Sequence, residues 1–332
     1  MIETRQGLQP TLVVIGKLNG RLPPGIESVA EQVRVHHVRT ESGLRRVLPD
    51  ASIVLLWDFS SLLLQQHFHL ARALSWVHIA GAGVDAVMSE EIAASDVVVT
   101  NARGVFNQSI AETVVGMMLV FAKDMLTTIA LQSQRTWRHR DTAMLAGQTA
   151  LIVGAGEIGR AIGRAAGALG VNVTGVATSE RHDPDLGLVR SVKDLDSLLP
   201  AADFVVVILP LTDRTRGIIG AEQLALMKPT AQLINVGRGS LVDEDCLIAA
   251  LESGSIGGAA LDVFQTEPLP PDSPLWAMPN VMVSPHMSAD FHGWLEALAD
   301  QFFVNLGRWL SGRPLLNVVD KRLGYVPGNP TP

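Results

Sequence analysis

The chain has 332 residues, of which 47% are hydrophobic and only 18% are charged, and its formal net charge is −7. The apolar content excludes a largely disordered protein, and the negative charge excludes the broad basic face that a nucleic-acid-binding protein needs. The length predicts two domains of ordinary size. A single cysteine, Cys246, cannot form an internal disulfide, and the first residues lack the apolar segment of a secretory signal, so we expect a cytoplasmic protein.

Short apolar runs recur along the chain, with helical stretches between many of them. They lie at residues 11–15, 52–56, 76–79, 97–100, 150–153, 171–176, 204–209, 232–236 and 281–284. Such runs are typical of strands buried on both faces of a parallel sheet, and their alternation with helices predicts an α/β fold. The most apolar run, residues 113–122, has ten residues. A bilayer span needs roughly 20, so we expect no membrane partner.

A long, nearly apolar helix is predicted from Ser109 to about Ile129. Asn107 or Ser109 is the expected N-cap, because Glu112 follows Ser109 at the spacing of a capping box. An apolar helix of this kind is expected to be buried at a domain or subunit contact. The polar stretch at residues 131–142 is interpreted as a surface linker to the strand that begins near Gln148.

A glycine-rich turn follows the strand at residues 150–153. Its sequence, G-A-G-E-I-G, contains Gly154, Gly156 and Gly159, with Glu157 and Ile158 at the predicted start of a helix. Between a strand and a helix, this spacing is typical of dinucleotide binding, because the glycines permit a tight turn and a close approach to a pyrophosphate. The helix N-terminus then offers N–H groups to the anion. The structural alternative is a strand–helix turn without a ligand.

The residues after the next strand bear on the choice of cofactor. An acid normally ends that strand when the cofactor is NAD, because it binds the ribose 2′-hydroxyl. Here Ala177 ends the strand, and Thr178, Ser179, Glu180 and Arg181 follow. Small hydroxyl residues with Arg181 favour the 2′-phosphate of NADP over NAD. The alternative is that Glu180 takes the acid's role and Arg181 is simply solvated.

Three further motifs follow at wide separation: INVGRGSLVDEDCL (234–247), ALDVFQTEPLP (260–270) and NVMVSPHMSA (280–289). With the glycine turn, they resemble the D-isomer-specific 2-hydroxyacid dehydrogenase family, in its glyoxylate/hydroxypyruvate reductase-like form. The resemblance also includes residues 79–87, 100–112, 209–220 and 310–325. The motifs in this order are highly specific, although any one alone is not.

Three residues of these motifs suit the reduction of a 2-keto acid. Arg238 can pair with the substrate carboxylate, because a guanidinium binds a carboxylate through two hydrogen bonds. His286 can exchange a proton with the carbonyl oxygen, and Glu267 can orient the imidazole and favour its protonated form. The matching residues of the family have these roles. If the three residues have structural roles only, Arg238 is a loop cation, Glu267 a turn acid and His286 a packed loop histidine.

The resemblance carries over further residues. The backbone of Gly81, Ala82 and Gly83 resembles the loop that binds the substrate carboxylate, with a plain turn as its alternative. Asp262 resembles the acid that holds the nicotinamide amide. Pro210 and Thr215 resemble residues that flank the adenosine pocket, and Val236 resembles one beside the nicotinamide. Hydride transfer needs no metal, and we predict none.

We therefore predict two doubly wound, parallel-sheet, Rossmann-like domains. The dinucleotide-binding domain is expected at residues 102–288, and the substrate domain is discontinuous, combining residues 1–101 with 289–332. We expect nicotinamide and substrate in the cleft between them, and a homodimer. The predicted reaction is the NAD(P)-dependent reduction of a 2-keto acid to the (R)-2-hydroxy acid.

Two alternative functions remain open. One is a dinucleotide-sensing, corepressor-like binding protein on the same fold, which need not keep the set of Arg238, Glu267 and His286. The other is a short phosphoglycerate dehydrogenase. Formate dehydrogenases are also similar, but they pair their histidine with Gln, and Glu267 argues against that activity.

Overall fold

A computed structural model describes residues 9–18 and 20–327, so residues 1–8, on which the expected absence of a signal depends, lie outside it. The described residues divide into two compact units, one made of those up to Val105 and from Phe291 onward and the other of Phe106–Asp290. The chain therefore crosses between the units twice, each time a few residues after the boundary expected from the sequence.

A parallel sheet forms the centre of the first unit. In its described part, the strands lie in the order β2–β1–β3–β4–β5. They are β1 (Thr11–Ile15), β2 (Arg34–Val38), β3 (Ile53–Leu56), β4 (Trp76–Ile79) and β5 (Val98–Asn101). The helices between them are α1 (Glu41–Val47), α2 (Leu63–His67) and α3 (Glu90–Ala94), with 3-10 helices at Ile26–Val29, Leu48–Asp50 and Phe68–Leu70. All residues of β1, β3 and β4 are buried, as their apolar runs predict.

The second unit has a larger sheet, in the order β13–β12–β11–β10–β6–β7–β9–β8 in the part of the chain described. Its strands are β6 (Thr149–Val153), β7 (Asn172–Ala177), β8 (Arg181–Asp183), β9 (Gly187–Ser191), β10 (Phe204–Val207), β11 (Gln232–Asn235), β12 (Gly258–Leu261) and β13 (Val281–Val283). Its helices are α4 (Asn107–Ala122), α5 (Met125–Ser133), α6 (Glu157–Ala168), α7 (Leu195–Leu198), α8 (Ala221–Leu226) and α9 (Glu244–Glu252), with 3-10 helices at Val192–Asp194, Leu199–Ala201, Gly239–Leu241 and Pro274–Trp276.

The path of the second sheet locates its binding edge. The chain runs outward from β6 through β7 in one direction, then returns to β10 on the other side and continues outward to β13. These strands are parallel. Ligands of such sheets bind at the carboxyl ends of the strands, at the point where the strand order reverses, which here lies between β6 and β10. Together with the parallel sheet of the first unit, this confirms the predicted α/β, Rossmann-like class.

The prediction of one helix over residues 109–129 is wrong. The chain forms α4 and α5, bent by 66° relative to each other, and Asp124 between them has a left-handed backbone with φ of 48°. The predicted caps are also wrong, because Phe106 is the N-cap and no side chain caps α4. Moreover, α5 is largely exposed, with Leu131 its buried residue. Among the described residues, no single helix is long and apolar enough to cross a bilayer, and only the bent pair meets both criteria when its helices are taken together.

The last part of the chain completes the first unit. Helix α10 (Trp294–Leu310) contributes Phe302, whose ring stacks on Trp76 at a centroid distance of 5.4 Å. The segment after α10 runs along the edge strand β5, where Val319 N–H donates to Val99 O at 2.8 Å. Thr100 and Val318 form an antiparallel bridge at the same place.

Candidate active site

Arg238, Glu267 and His286 follow three neighbouring strands of the second sheet. They lie after β11, β12 and β13 respectively, which are adjacent and parallel. Because parallel strands end at the same edge, the three side chains arise from loops on one side of the sheet. The structure therefore brings together the three residues that the sequence separates widely.

The contact between His286 and Glu267 is direct. His286 Nδ1 donates to Glu267 Oε2 at 2.7 Å, and both side chains are about one-third exposed, at 32% and 36%. The other carboxylate oxygen, Glu267 Oε1, accepts from Phe264 N–H at 3.0 Å. One oxygen is therefore fixed by the backbone while the other holds the imidazole, which sets the orientation of the ring.

The charge state of Glu267 follows from these contacts. Burial raises the pKa of its carboxyl, but hydrogen bonds from His286 and Phe264 N–H and the positive charges of His286 and Arg238 outweigh burial. The net result is a pKa below the ordinary value. Glu267 is thus a carboxylate near neutral pH, and the positive charge of Arg238 contributes to this.

A buried asparagine shapes the loop that carries Arg238. Asn235 Nδ2 donates to Arg238 O at 3.0 Å, and Asn235 Oδ1 accepts from Gly237 N–H at 3.1 Å. A Cβ on Gly239 would lie 1.9 Å from the backbone carbon of Phe264, so the loops after β11 and β12 pack backbone against backbone. The half-buried Arg238 therefore leaves a tightly fixed loop.

Residues 284–290, called the His286 loop, are held by Asp262. His286 N–H donates to Asp262 O at 2.8 Å. The Asp262 carboxylate accepts from Ser284 Oγ at 2.6 Å and from the N–H groups of Met287 and Ser288, both at 2.9 Å. Asp262 is 0% exposed. The structure gives its carboxylate contacts with the loop, and its contact with the nicotinamide amide stays a prediction.

The glycine-rich turn has the shape needed for a pyrophosphate. Gly154 has φ of +127°, and a Cβ there would lie 2.3 Å from Ile208 O. A Cβ on Gly159 would lie 2.0 Å from Gly154 O, whereas a Cβ on Gly156 would meet nothing within 4 Å. The backbone therefore leaves no room for a side chain at Gly154 or Gly159, whereas Gly156 borders open space at the N-terminus of α6. Glu157 and Ile158 begin that helix, so the turn fits a dinucleotide pyrophosphate.

The residues after β7 lie beside this turn. Thr178 and Ser179 are exposed at the strand end. Arg181 Nη2 donates to Ala155 O of the glycine turn at 2.7 Å. Glu180 Oε2 instead lies 3.5 Å from Arg190 Nε, which ties its carboxylate to a different cation.

The other predicted residues occupy loops at strand ends. Thr215 Oγ1 donates to Pro210 O at 2.7 Å, so both belong to one closed turn after β10, and Val236 is buried after β11. In the first unit, the loop after β4 has its carbonyls engaged: Ala102 N–H donates to Gly81 O at 2.9 Å and Asn101 Nδ2 donates to Ala82 O at 2.6 Å. Within the described part of the chain, the N–H groups of Gly81, Ala82 and Gly83 make no hydrogen bond to the protein. Such amides can bind a carboxylate.

The sequence does not predict several residues that shape the site. Asn235 fixes the Arg238 loop, and Ser284 binds Asp262. Ser109 Oγ and Thr113 Oγ1, both on α4, donate to Ser288 O at 3.0 and 3.2 Å. A polar residue at the end of an otherwise apolar strand was a signal for Asn235. Nothing in the local sequence signals the contacts of α4, which connect residues far apart in the chain.

Known proteins resemble this chain in sequence and in structure. Residues 115–288 match the family model for the NAD binding domain of D-isomer specific 2-hydroxyacid dehydrogenases. A glyoxylate/hydroxypyruvate reductase B from Pectobacterium carotovorum is 35% identical over 78% of this chain and 82% of its own. A D-3-phosphoglycerate dehydrogenase from Methanocaldococcus jannaschii is 33% identical over 89% of this chain but only 56% of its own. The structure of an NADPH-dependent glyoxylate/hydroxypyruvate reductase from Sinorhizobium meliloti, in complex with NADP and sulfate, has a TM-score of 0.81, is 30% identical, and covers 96% of this chain and 100% of its own.

The fold and the site define a Rossmann-type oxidoreductase that uses a nicotinamide dinucleotide. The chain belongs to the D-isomer-specific 2-hydroxyacid dehydrogenase family. It is an NAD(P)-dependent 2-keto acid reductase. The comparisons favour neither the corepressor-like binding protein nor the short phosphoglycerate dehydrogenase.

Proposed function

We propose that this enzyme reduces a small 2-keto acid such as glyoxylate or hydroxypyruvate, with NADPH as the preferred cofactor, to the (R)-2-hydroxy acid. The observation that carries the proposal is the 2.7 Å contact between His286 and Glu267, at the same sheet edge as Arg238. The names of the reductases from Pectobacterium and Sinorhizobium support the substrate class.

The proposed chemistry divides the work among three side chains. When bound, the reduced nicotinamide supplies a hydride to the carbonyl carbon. Arg238 pairs with the substrate carboxylate and polarises the adjacent carbonyl. The bond from Nδ1 to Glu267 directs Nε2 of His286 as the nitrogen that gives a proton to the carbonyl oxygen, and in the reverse direction takes it back. Glu267, kept ionised by its lowered pKa, stabilises the imidazolium.

Backbone groups complete the proposed binding sites. The amides of Gly81, Ala82 and Gly83 take part in binding the substrate carboxylate. Gly154, Gly156 and Gly159, with Glu157 and Ile158, hold the pyrophosphate. Pro210 and Thr215 flank the adenosine, and Val236 lies beside the nicotinamide.

The reaction is tested by following NADPH oxidation with glyoxylate, hydroxypyruvate, pyruvate and phenylpyruvate. His286→Ala is expected to abolish turnover while leaving the cofactor dissociation constant within about twofold of wild type, because the residue moves a proton rather than binding the dinucleotide. Wild-type protein that binds NADPH but turns over none of these acids would refute the proposal. A His286→Ala variant that fails to fold would indicate a structural role instead.

The preference for NADP rests on the residues after β7. Thr178, Ser179 and Arg181 are proposed to bind the 2′-phosphate, and the pairing of Glu180 with Arg190 removes the main candidate for a ribose-binding acid. Arg181→Ala should raise KM for NADPH about 10- to 100-fold, the effect of losing a hydrogen bond to a charged group. KM for NADH should change little. The matched control is Arg164→Ala, since Arg164 pairs with Asp185; equal efficiency with NADH and NADPH in wild type would contradict the preference.

We further propose a cytoplasmic homodimer. Ile129 on α5 is 63% exposed, and Trp137 and Met144 in the segment after it are 99% and 71% exposed. Exposed apolar and aromatic side chains are typical of a protein interface, and a second copy of this chain is the partner we expect. Trp137→Ser should shift the mass measured by light scattering from dimer toward monomer, whereas Trp276→Ser, at another exposed tryptophan, should not. A wild-type monomer at micromolar concentration would contradict the proposal.

A further inference from the structure

The His286 loop is fixed from two directions within the second unit. On one side, the Asp262 carboxylate binds the N–H groups of Met287 and Ser288. On the other, the hydroxyls of Ser109 and Thr113 donate to Ser288 O at 3.0 and 3.2 Å. Both peptide groups that flank the Ser288 Cα are therefore bonded to side chains outside the loop.

The loop needs this support because His286 has a left-handed backbone. Its φ is 53°, a conformation that non-glycine residues rarely adopt. Such a conformation persists only where the surrounding structure determines it. The hydrogen bonds at Ser288 fix the chain two residues after His286. They are expected to keep the imidazole in contact with Glu267.

The hydroxyls of Ser109 and Thr113 are used differently from other hydroxyls on neighbouring helices. Thr128 on α5 donates to Asp124 O, the carbonyl of the helix N-cap, and Ser133 donates to Ala130 O of its own helix. Ser109 does not cap α4, because no side chain caps that helix. Ser109 and Thr113 are four residues apart and therefore share one face of the helix, so that both reach the same carbonyl oxygen. Their hydroxyls serve the loop rather than the helix.

Burial makes this carbonyl sensitive to the loss of its partners. Ser288 is 5% exposed, so water cannot readily replace a missing donor. A buried carbonyl without a partner is unfavourable, and the loop would rearrange to satisfy it. Such a rearrangement would move His286, because Ser288 is only two residues away.

We propose that Ser109 and Thr113 are positioning residues for His286: they fix the Ser288 carbonyl and thereby keep the imidazole aligned for proton transfer. This inference rests on the proposed function of His286 as the proton donor. It predicts an effect on the chemical step rather than on cofactor binding, since neither hydroxyl is assigned a contact with the dinucleotide.

The test compares Ser109→Ala, Thr113→Val and the double variant. Each single variant should lower kcat about two- to tenfold, and the double variant about 10- to 100-fold, as expected for losing one or two hydrogen bonds that align a reacting group. The dissociation constant for NADPH should stay within about twofold of wild type. Thr113→Ser keeps the hydroxyl and should restore most of kcat. Ser133→Ala is the matched control, because its hydroxyl serves its own helix.

Hydrogen exchange supplies a readout that does not depend on turnover. The amides of Met287 and Ser288 should exchange at least tenfold faster in the double variant and at the wild-type rate in Ser133→Ala. If the wild type reduces no 2-keto acid, the proposed function fails while these rates still test the positioning of the loop. Unchanged exchange, a kcat of the double variant within twofold of wild type, or an equal loss in Thr113→Ser and Thr113→Val would each overturn the inference.

Discussion

The glycines around the N-terminus of α6 permit a test that separates folding from cofactor binding. Gly156 has an ordinary φ of −83°, and a Cβ there would meet nothing within 4 Å. Gly156→Ala should therefore change the free energy of unfolding of the cofactor-free protein by no more than about 0.5 kcal/mol. The added methyl group would stand in the open space expected for the pyrophosphate, so the NADPH dissociation constant should rise about 10- to 100-fold, or about 1.4 to 2.8 kcal/mol.

Gly159→Ala should instead lower the stability of the cofactor-free protein. Its Cβ would lie 2.0 Å from Gly154 O, a backbone atom that cannot move away cheaply. The expected destabilisation is at least about 1 to 3 kcal/mol, the usual cost of overpacking. Gly167→Ala is the control, because its Cβ meets nothing and a helical alanine is more favourable than glycine by about 0.5 to 1 kcal/mol.

The assays are urea unfolding without cofactor and titration of NADPH fluorescence. Gly156→Ala should lose affinity with its unfolding midpoint preserved, and Gly167→Ala should keep its affinity and gain stability. If Gly156→Ala binds NADPH as tightly as the wild type, the pyrophosphate does not lie at this turn. A Gly159→Ala variant as stable as wild type would refute the reasoning about backbone packing.

Three further predictions concern titratable groups. The pKa of Glu267 lies below its ordinary 4.5, so its carboxylate stabilises the fold above pH 4.5. This contribution disappears as the pH falls through the lower pKa of the folded protein. Glu267→Gln should therefore be less stable than wild type in urea at pH 7, and the difference should vanish in acid. Burial and then the charge of Asp262 raise the pKa of Asp290 above its ordinary 3.8, so its ionised form costs stability at higher pH; Asp290→Asn should raise Tm at pH 7 and much less below about pH 4. Burial lowers the pKa of His78 from 6.5 to about 3, so stability should fall on acidification below pH 6.5 by at most about 1.4 kcal/mol per pH unit, and His78→Leu should lessen that loss in urea unfolding.

Opposite signs would contradict each of these expectations. A Glu267→Gln variant more stable than wild type at pH 7 would show that the carboxylate is not stabilised by its neighbours. Asp290→Asn with a lower Tm at pH 7 would mean that the charge is favourable where it lies. A His78→Leu variant as acid-sensitive as wild type would assign the loss to other groups.

The strands were the most predictable part of the fold. The apolar run at residues 11–15 is β1, and the run at 76–79 is β4, because strands buried on both faces have no polar positions to interrupt them. The apolar runs do not predict the strand β2, because it lies at the sheet edge, only its last residue, Val38, is buried, and His36 and His37 interrupt its apolar residues. Edge strands carry a weaker signal because one side of them faces solvent.

The helix after Ser109 shows what local patterns could not predict. The break between α4 and α5 occurs at Asp124, which takes a left-handed conformation without a glycine or proline to signal it. Ser109 matched the capping-box spacing, yet its hydroxyl donates to Ser288 O, a residue far along the chain. A propensity rule considers only neighbours in sequence, and here a tertiary hydrogen bond decides what the side chain does.

Within the site, the strand ends that carry Arg238, Glu267 and His286 followed from the motifs, because adjacent parallel strands place their following loops at one edge. The environment of Asp262 did not follow. The motif identified an acid at that position, but only the fold shows that its carboxylate faces the buried amides of the His286 loop. Which partner satisfies a buried acid depends on chain segments that no single motif contains.

The pairing of Val319 with β5 has a consequence for synthesis of the chain. Val99 and Val319 are separated by 220 residues of sequence. At about 5 to 20 residues per second, roughly 10 to 45 s pass between their emergence, while the whole second unit is made. Until then the outer edge of β5 presents unpaired backbone groups to other chains, which is the usual route to aggregation of nascent sheets. The segment around Val319 therefore covers the outer edge of β5 only late in translation.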